Sequence, residues 1–301
     1  LVGLDALDRS LRERPTHHLL GSSATAGTFD PDRDRGLVDR DGVTLEAALA
    51  AYDVDVDQMH RSGVRLEPVR AYLELHIEQG PVLESLDLPL GVVLGTFGVE
   101  RHQVTFRGQA AHAGSTPMDK RRDALAGAAK LELELREIAA RAGEGAVCTM
   151  GGVVTRPGIV TSVVETAECL LDQRHLDAHR LAEMLSNAEA ASRRFAQEEQ
   201  LEVEWERIWN IEPILFDEAL IELADESIRE VAGESHRLPS GPLHDAAEVA
   251  RAGVPTVMVF VQSLRGLSHT KLEDTKDEHL ELSVQALDRL ADKTIARVAA
   301  G

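Results

Sequence analysis

The sequence predicts an α/β protein in which a small α+β domain is inserted into a larger mixed-sheet domain. The first observation is the order of elements over residues 99–210, which is strand, helix, strand, strand, helix, strand. That order is typical of a four-stranded sheet with two helices on one face. The second observation is the contrast with the flanking segments, where amphipathic helices accompany a continuous apolar strand of the buried, parallel type.

Within the middle segment, residue type and local stop signals predict each element. Val-, Thr- and Leu-rich runs predict the strands. A helix is predicted from Thr116 to about Ala142, because Thr116 can cap it, Pro117 suits the first helical position and Gly143 stops it. A second long helical pattern covers residues 178–197. The four predicted strands cover residues 99–107, 146–155, 162–175 and 201–210.

The flanking segments are predicted to be two parts of one larger domain. Residues 217–232 and 277–300 show the periodicity of amphipathic helices, and residues 257–261 form an apolar run of strand length. Residues 71–75 suit a further buried strand, which Gly80-Pro81 ends. The predicted parts are residues 1–97 and 212–301 for the larger domain and residues 98–211 for the inserted domain.

Three glycines, at positions 91, 95 and 98, lie at the first junction between these domains. They do not precede a helix, so they are not the phosphate-binding loop of a dinucleotide site. We therefore predict that they act as hinge residues.

Composition excludes several classes of function. The chain has 301 residues, 43% of them hydrophobic, which is enough for one large or two ordinary cores. A net charge of −20 argues against nucleic acid or an anionic membrane as the main partner. No apolar run approaches the ~18 residues of a membrane span, and no signal-peptide pattern opens the chain. With Cys148 and Cys169 as the only cysteines, we expect no disulfide framework and a cytoplasmic location.

The acidic surface is poor in lysine, and arginine supplies nearly all of the positive charge. Two interpretations stay open. The protein is adapted to concentrated salt, which screens self-repulsion, or it comes from an ordinary high-GC bacterium.

Chemistry-bearing polar side chains are concentrated in five segments. Each histidine taken alone is more often a structural or surface residue, but His76, His244 and His269 all fall in loops or strand ends of the larger domain. Such positions, at the ends of sheet strands, are where α/β sites are built. The segments cover residues 76–79, 109–118, 172–175, 239–245 and 266–269.

These segments resemble the N-carbamoyl-L-amino-acid hydrolase family, together with β-ureidopropionases and allantoate amidohydrolases. These enzymes are dinuclear-metal amidohydrolases related to aminoacylases. The His-Ile-Glu-Gln-Gly-Pro run at 76–81 and the Ala-Ala-His-Ala-Gly-Ser-Thr-Pro-Met run at 110–118 are specific to this group. The resemblance covers nearly the whole chain and implies a metallohydrolase catalytic domain with an inserted lid and dimerisation domain.

The resemblance also implies a reaction, namely hydrolysis of a linear amide in an N-carbamoyl-L-amino acid or related ureido acid by metal-activated water. Two divalent ions, of zinc, manganese or cobalt, are expected in the family. The implied partners are a small carboxylated ureido or amide substrate and a second copy of the chain, bound through residues 98–211.

Individual roles follow from the matched positions. His76 and His269 match two metal-ligating histidines. His112 matches the catalytic histidine that contacts the substrate and stabilises negative charge on the scissile carbonyl oxygen. The other matches are to substrate-binding positions, with the arginine holding the substrate carboxylate. They are Gln79, Arg174 and His244.

The sequence departs from the family pattern ahead of residue 76. A histidine and a bridging aspartate have no match. The strand that carries a Glu-Glu pair has no room between a helix predicted for residues 4–14 and the loop at 20–22. We therefore expect an incomplete catalytic domain in which two histidines alone do not hold two cations. His17 and His18 are the candidates to replace the missing ligands.

Two single positions also differ, since Thr161 and Leu243 stand where the family has asparagine and glycine. Two hypotheses of different classes stay open. The chain is a metal-dependent amidohydrolase, or it is a catalytically inactive homologue that dimerises or binds a ligand. A dipeptidase or aminoacylase is less favoured, because the run at 76–81 is not typical of those enzymes.

Overall fold

The computed structural model describes residues 19–39 and 42–300. The helices are α1 (Leu20–Ala26), α2 (Pro31–Asp34), α3 (Leu45–Ala50), α4 (Val82–Ser85), α5 (Ala124–Ala142), α6 (Ala178–Glu198), α7 (Glu218–Ala232), α8 (Asp245–Arg251) and α9 (Asp277–Ala300). The strands are β1 (Tyr72–Ile77), β2 (Leu90–Thr96), β3 (Gly98–Arg107), β4 (Ala111–His112), β5 (Val147–Arg156), β6 (Ser162–Val163), β7 (Thr166–His175), β8 (Glu202–Ile211), β9 (Ile214–Leu215), β10 (His236–Ser240) and β11 (Thr256–Val261). The helix predicted for residues 4–14 and the pair His17-His18 lie outside the described residues.

The chain forms two compact units. The central unit comprises residues 97–213, and the flanking unit comprises the described residues of 19–96 and 214–300. None of the helices in the described part of the chain has the length and apolar character needed to cross a bilayer.

The flanking unit is built on a mixed sheet. The strand order is β1-β11-β2-β10, and β9 pairs with β2. β11 runs parallel to β1 but antiparallel to β2, so the apolar run predicted as a parallel strand is parallel to only one of its neighbours. All six residues of β11 are buried, and Val257 and Phe260 lie in a core that also holds Ile228 of α7 and Leu290 of α9. The predicted α/β class with a mixed sheet is confirmed.

The central unit is a four-stranded antiparallel sheet in the order β5-β7-β3-β8. Residues of α5 and α6 join those of β3 and β7 in one buried core, which includes Phe106, Leu131 and Met184. The opposite face of the sheet carries partly exposed residues, both polar, such as Arg101 and Asp172, and apolar, such as Val147 and Trp209. The six elements of the predicted order are all present.

Two sequence predictions in this unit are wrong in detail. The helix α5 begins at Ala124 rather than at Thr116, and Asp123 caps it by accepting the Leu125 N–H. Thr116-Pro117 instead leads into a short 3-10 turn, after which the backbone at Arg121 is extended. The strand predicted for 162–175 is two strands, because β6 pairs with β4 while β7 pairs with β3 and β5.

The two cysteines lie in the central sheet, Cys169 buried and Cys148 partly buried. Cys148 lies in β5 and Cys169 in β7. Burial raises the pKa of both thiols, that of Cys169 to about 12, so neither is ionised near neutral pH.

Candidate functional site

Among the described residues β1 is the edge strand of its sheet, and it carries a polar face. Tyr72, Glu74 and His76 alternate along the strand and therefore point to the same side of the sheet. Leu73 and Leu75, on the other side, pack against the core. The sheet thus places one carboxylate and one imidazole side by side at its edge.

The His76 ring is oriented by its own backbone. Its Nδ1 lies 2.7 Å from the Ile77 carbonyl oxygen, which can only accept a hydrogen bond, so Nδ1 carries the proton. The lone pair of the neutral ring is then on Nε2. That tautomer is the one suited to donate an electron pair to a metal ion or to accept a hydrogen bond.

His244 lies against His76, with 4.4 Å between the ring centroids. It immediately precedes α8 and is only 4% exposed. Its Nε2 is 2.8 Å from the Ser240 Oγ, and the Ser240 hydroxyl donates to the Pro242 carbonyl oxygen at 2.8 Å. The Ser240 oxygen must therefore accept from His244, which leaves the lone pair of His244 on Nδ1.

Burial and then the charge of His76 lower the pKa of His244 to about 4. The ring is neutral near pH 7, and its bare Nδ1 is 3.9 Å from the Glu74 Oε1. Burial raises the pKa of Glu74, although the Ala246 N–H donates to its Oε2 at 2.8 Å. This cluster combines the bare ring nitrogen of a neutral imidazole with a carboxyl group whose pKa burial raises.

Sequence reasoning missed two members of this cluster, Tyr72 and Glu74. Burial and the neighbouring Glu74 charge raise the pKa of Tyr72 to about 12, so its hydroxyl stays protonated. The signal that could have found them is their two-residue spacing ahead of His76 in a predicted strand.

The acid in the His-Ile-Glu-Gln run has a structural role. Glu78 is 6% exposed and accepts hydrogen bonds from the N–H groups of Val82 and Leu83, at 2.7 and 2.9 Å. It therefore satisfies the first turn of α4. The sequence pattern places it among the chemistry-bearing side chains, and the structure assigns it to the fold.

Gln79 is held in a left-handed conformation, with φ of 58°, by two serines of the segment after β11. Its N–H donates to the Ser263 Oγ at 2.9 Å, and its Nε2 donates to the Ser268 Oγ at 2.8 Å. The amide carbonyl of Gln79 remains the group suited to contact a ligand.

His269 follows Ser268 and is exposed. Its backbone N–H donates to the Glu273 Oε2 at 2.8 Å. Within residues 19–39 and 42–300, no group of three or more His, Cys, Asp or Glu side chains is placed to hold a metal ion. Imidazole suits zinc and manganese, but the donors in this part of the chain are too few and too scattered to form a complete centre.

In the central unit, His112 lies in the two-residue strand β4, opposite Ser162 of β6. The Gly114 N–H donates to its Nδ1 at 3.1 Å, so the neutral ring carries its proton on the exposed Nε2. Arg121 fixes this loop by donating to the carbonyl oxygens of Ala113 and Thr116, at 2.6 and 3.2 Å. A hydrogen-bond donor is thus presented on a rigid loop.

Arg174 lies at the end of β7, where Asp172 accepts from its Nε at 2.6 Å and from its Nη2 at 3.1 Å. Arg101 of β3 also donates to Asp172, with its Nε 2.7 Å from Oδ2. Burial alone would raise the pKa of the Asp172 carboxyl, but the two arginines outweigh it and hold that pKa below its ordinary value. Asp172 is therefore ionised, and both guanidinium groups are fixed.

The structure brings the predicted residues together in part. His76 and His244 are in ring contact, and Gln79 reaches the serine next to His269. His112 and Arg174 lie in the central unit, on β4 and β7.

The neutral state of His244 leads to a pH prediction. The folded pKa of His244, about 4, is below its ordinary value of 6.5. The contribution of the neutral ring to the free energy of unfolding is therefore complete above pH 6.5 and is lost as pH falls toward 4. The loss from this residue is on the order of 3 kcal/mol. Urea unfolding at pH 7 and at pH 4.5 measures it.

In the same measurement, His244→Asn should lose less stability on acidification than the wild type. His60→Asn, at an exposed position of the flanking unit, is the matched control and should behave like the wild type. Equal acid sensitivity of His244→Asn and wild type would contradict the assignment.

Comparisons with known proteins identify a family and several relatives that this chain is similar to. The family model for peptidase family M20/M25/M40 matches residues 43–293. The N-carbamoyl-L-amino acid amidohydrolase of Geobacillus stearothermophilus is 33% identical over 269 residues, which cover 89% of this chain and 65% of the relative. The allantoate amidohydrolase of Escherichia coli K12 is 31% identical over 267 residues, covering 89% of this chain and 64% of the relative.

A solved structure gives the same result for the fold. A hydantoinase/carbamoylase family amidase from Burkholderia multivorans superposes with a TM-score of 0.82 at 31% identity. The match covers 93% of this chain and 66% of that protein. The chain thus spans slightly less than two thirds of the length of these relatives.

Proposed function

This chain belongs to peptidase family M20/M25/M40, and from that membership we propose that it is an amidohydrolase that cleaves a linear C–N bond in a carboxylated ureide. N-carbamoyl-L-amino acids and allantoate are the proposed substrate class. The observation that carries the proposal is the 31–33% identity to amidohydrolases of these two kinds over about nine tenths of the chain.

The side-chain geometry supports specific roles. Arg174 binds the substrate carboxylate, because a fixed planar guanidinium group matches a carboxylate in two-pronged fashion. His112 donates from Nε2 to the carbonyl oxygen of the scissile amide, where negative charge develops. Gln79 and His244 contact the substrate, through an amide oxygen and a bare ring nitrogen.

The family resemblance implies a divalent metal, and His76 and His269 are the proposed ligands for zinc, manganese or cobalt. Such an ion supplies an activated water as the nucleophile when it is bound. The Nε2 lone pair of His76 suits this role, but the donors of the described residues do not complete a site. The roles proposed for this chain's own residues are therefore those of binding and positioning.

The alternative of a catalytically inactive, dimerising or ligand-binding homologue gains no support from the relatives, which are named as amidohydrolases. Dimerisation through residues 98–211, a cytoplasmic location and adaptation to concentrated salt remain predictions of the sequence.

Ammonia release from N-carbamoyl-L-amino acids and from allantoate, with manganese or zinc added, tests the proposal. We expect hydrolysis of at least one of these ureides and none of a dipeptide, the substrate type of the less favoured alternative. His112→Ala should lower kcat by about 100-fold or more, as removal of an oxyanion donor does elsewhere.

His179→Ala is the matched control, because His179 is an exposed histidine of the same unit, on α6, with 81% of its side chain exposed. It should leave the rate unchanged. Dipeptide hydrolysis without ureide hydrolysis, or no turnover of any ureide, would contradict the proposed function.

A further inference from the structure

On the open face of the central sheet, charged side chains of β7 and β3 and a tryptophan of β8 form a row across three strands. In β7 the even-numbered residues are half-exposed on this face, while the odd-numbered residues are buried against the helices. Asp172 of β7 is directly opposite Arg101 of β3, which is directly opposite Trp209 of β8. Arg174 lies two residues beyond Asp172 on the same face.

Asp172 is shared by two arginines. Its Oδ2 accepts from the Arg101 Nε at 2.7 Å and from the Arg174 Nη2 at 3.1 Å. The two guanidinium groups are thus within two hydrogen-bond lengths of each other, around a single carboxylate oxygen.

Arg101 is held on two sides. Its Nε is used by Asp172, and its guanidinium carbon lies 5.0 Å from the centroid of the Trp209 ring. This cation–π contact holds the guanidinium group over the indole ring and leaves its Nη groups available for hydrogen bonding. Among the described residues the Arg101 Nη groups have no hydrogen-bond partner, and 42% of the side chain is exposed.

We propose that Arg101 is a second carboxylate-binding residue, acting with Arg174 on the same substrate carboxylate, and that Asp172 is the positioning residue that holds both guanidinium groups. The ligand class is a monoanionic ureide, selected against its uncharged amide. The inference rests on the proposed function for the identity of the ligand, but its geometry depends only on the central unit.

The strand β3 offers a matched control. Arg107 lies on the same strand and the same open face, and it forms a simple exposed pair with Glu204 of β8, at 3.3 and 3.2 Å. It shares no carboxylate with Arg174. Arg107→Gln therefore removes an equal charge from the same face without touching the proposed site.

The experiment is calorimetric titration of the full chain with N-carbamoylglycine and with its carboxamide, in the presence of a chelator to prevent turnover. We expect Arg101→Gln to weaken N-carbamoylglycine binding by about tenfold, since a hydrogen bond to a charged group is lost. Carboxamide binding should not change, and Arg107→Gln should bind both ligands like the wild type.

The positioning role has its own readout. Asp172→Asn should weaken binding of the carboxylate ligand and leave that of the carboxamide unchanged, whereas a general loss of structure would weaken both. Asp172→Glu should recover part of the affinity. Saturable quenching of tryptophan fluorescence by N-carbamoylglycine, absent in Trp209→Phe, locates the ligand beside Arg101.

The outcomes separate this inference from the proposed function. If the wild type binds N-carbamoylglycine but releases no ammonia from any ureide with metal added, the proposed function fails and the carboxylate site stands. If Arg101→Gln binds N-carbamoylglycine as tightly as the wild type, or if the wild type does not prefer it over the carboxamide, the inference is wrong whatever the turnover.

Discussion

Replacing Arg174 with alanine is expected to weaken binding of carboxylated ureides by about 100-fold, the largest effect on ligand binding that we predict. The variant loses a two-pronged, charge-assisted contact to the ligand, and such losses cost about 2–5 kcal/mol. Among the described residues it also leaves Asp172 with Arg101 as its one remaining arginine partner, so the carboxylate repels an anionic ligand more strongly. Calorimetric titration with N-carbamoyl-L-alanine measures the change.

The matched control for this variant is Arg193→Ala. Arg193 is an exposed arginine on α6 of the same unit, and it pairs with Glu189 one helical turn away. It should bind the ligand like the wild type. For Arg174→Ala the elution volume in size-exclusion chromatography should not change, because the substitution acts on the ligand and not on assembly. Unchanged affinity would remove Arg174 from the site.

The regular elements of this chain could be predicted because each carries its own periodicity. The long helices α6, α7 and α9 and the apolar strand β11 lie within one or two residues of the predicted ranges. The start of α5 was missed because two competing capping signals occur in sequence, at Thr116 and at Asp123. The structure uses the second, since Arg121 must reach back to Ala113 and Thr116 through an extended segment.

Only those residues of the candidate site that lie in short sequence motifs could be predicted. The runs at 76–81 and 110–118 supplied His76, His112 and Gln79. The ring tautomers depend on Ser240, Ile77 and Gly114 as partners, which only the folded backbone defines. The pairing of Arg101 with Asp172 depends on strand register across some 70 positions, and a single sequence does not specify that register.

Replacing Gly95 with alanine is expected to have the largest effect on stability. Gly95 has φ of 148°, a conformation that side chains rarely adopt, and it pairs with Leu215 where β9 joins β2. An added Cβ would clash with the Ile214 carbonyl oxygen and lie 2.9 Å from the Leu215 Cα. Both are backbone atoms and cannot move aside independently, so the free energy of unfolding should fall by about 3–5 kcal/mol.

This result would show that Gly95 is needed for close packing and does not act as the predicted hinge. A hinge requires rotational freedom of the backbone, whereas this contact requires only that no side chain is present. Gly151→Ala in β5 is the control, since a Cβ there has nothing within 4 Å, and it should change stability by less than about 1 kcal/mol. Urea unfolding followed by circular dichroism monitors both units, whereas fluorescence monitors the central unit, which holds Trp205 and Trp209. The Gly95→Ala loss should therefore appear in the dichroism signal, and a variant as stable as the wild type would contradict the packing argument.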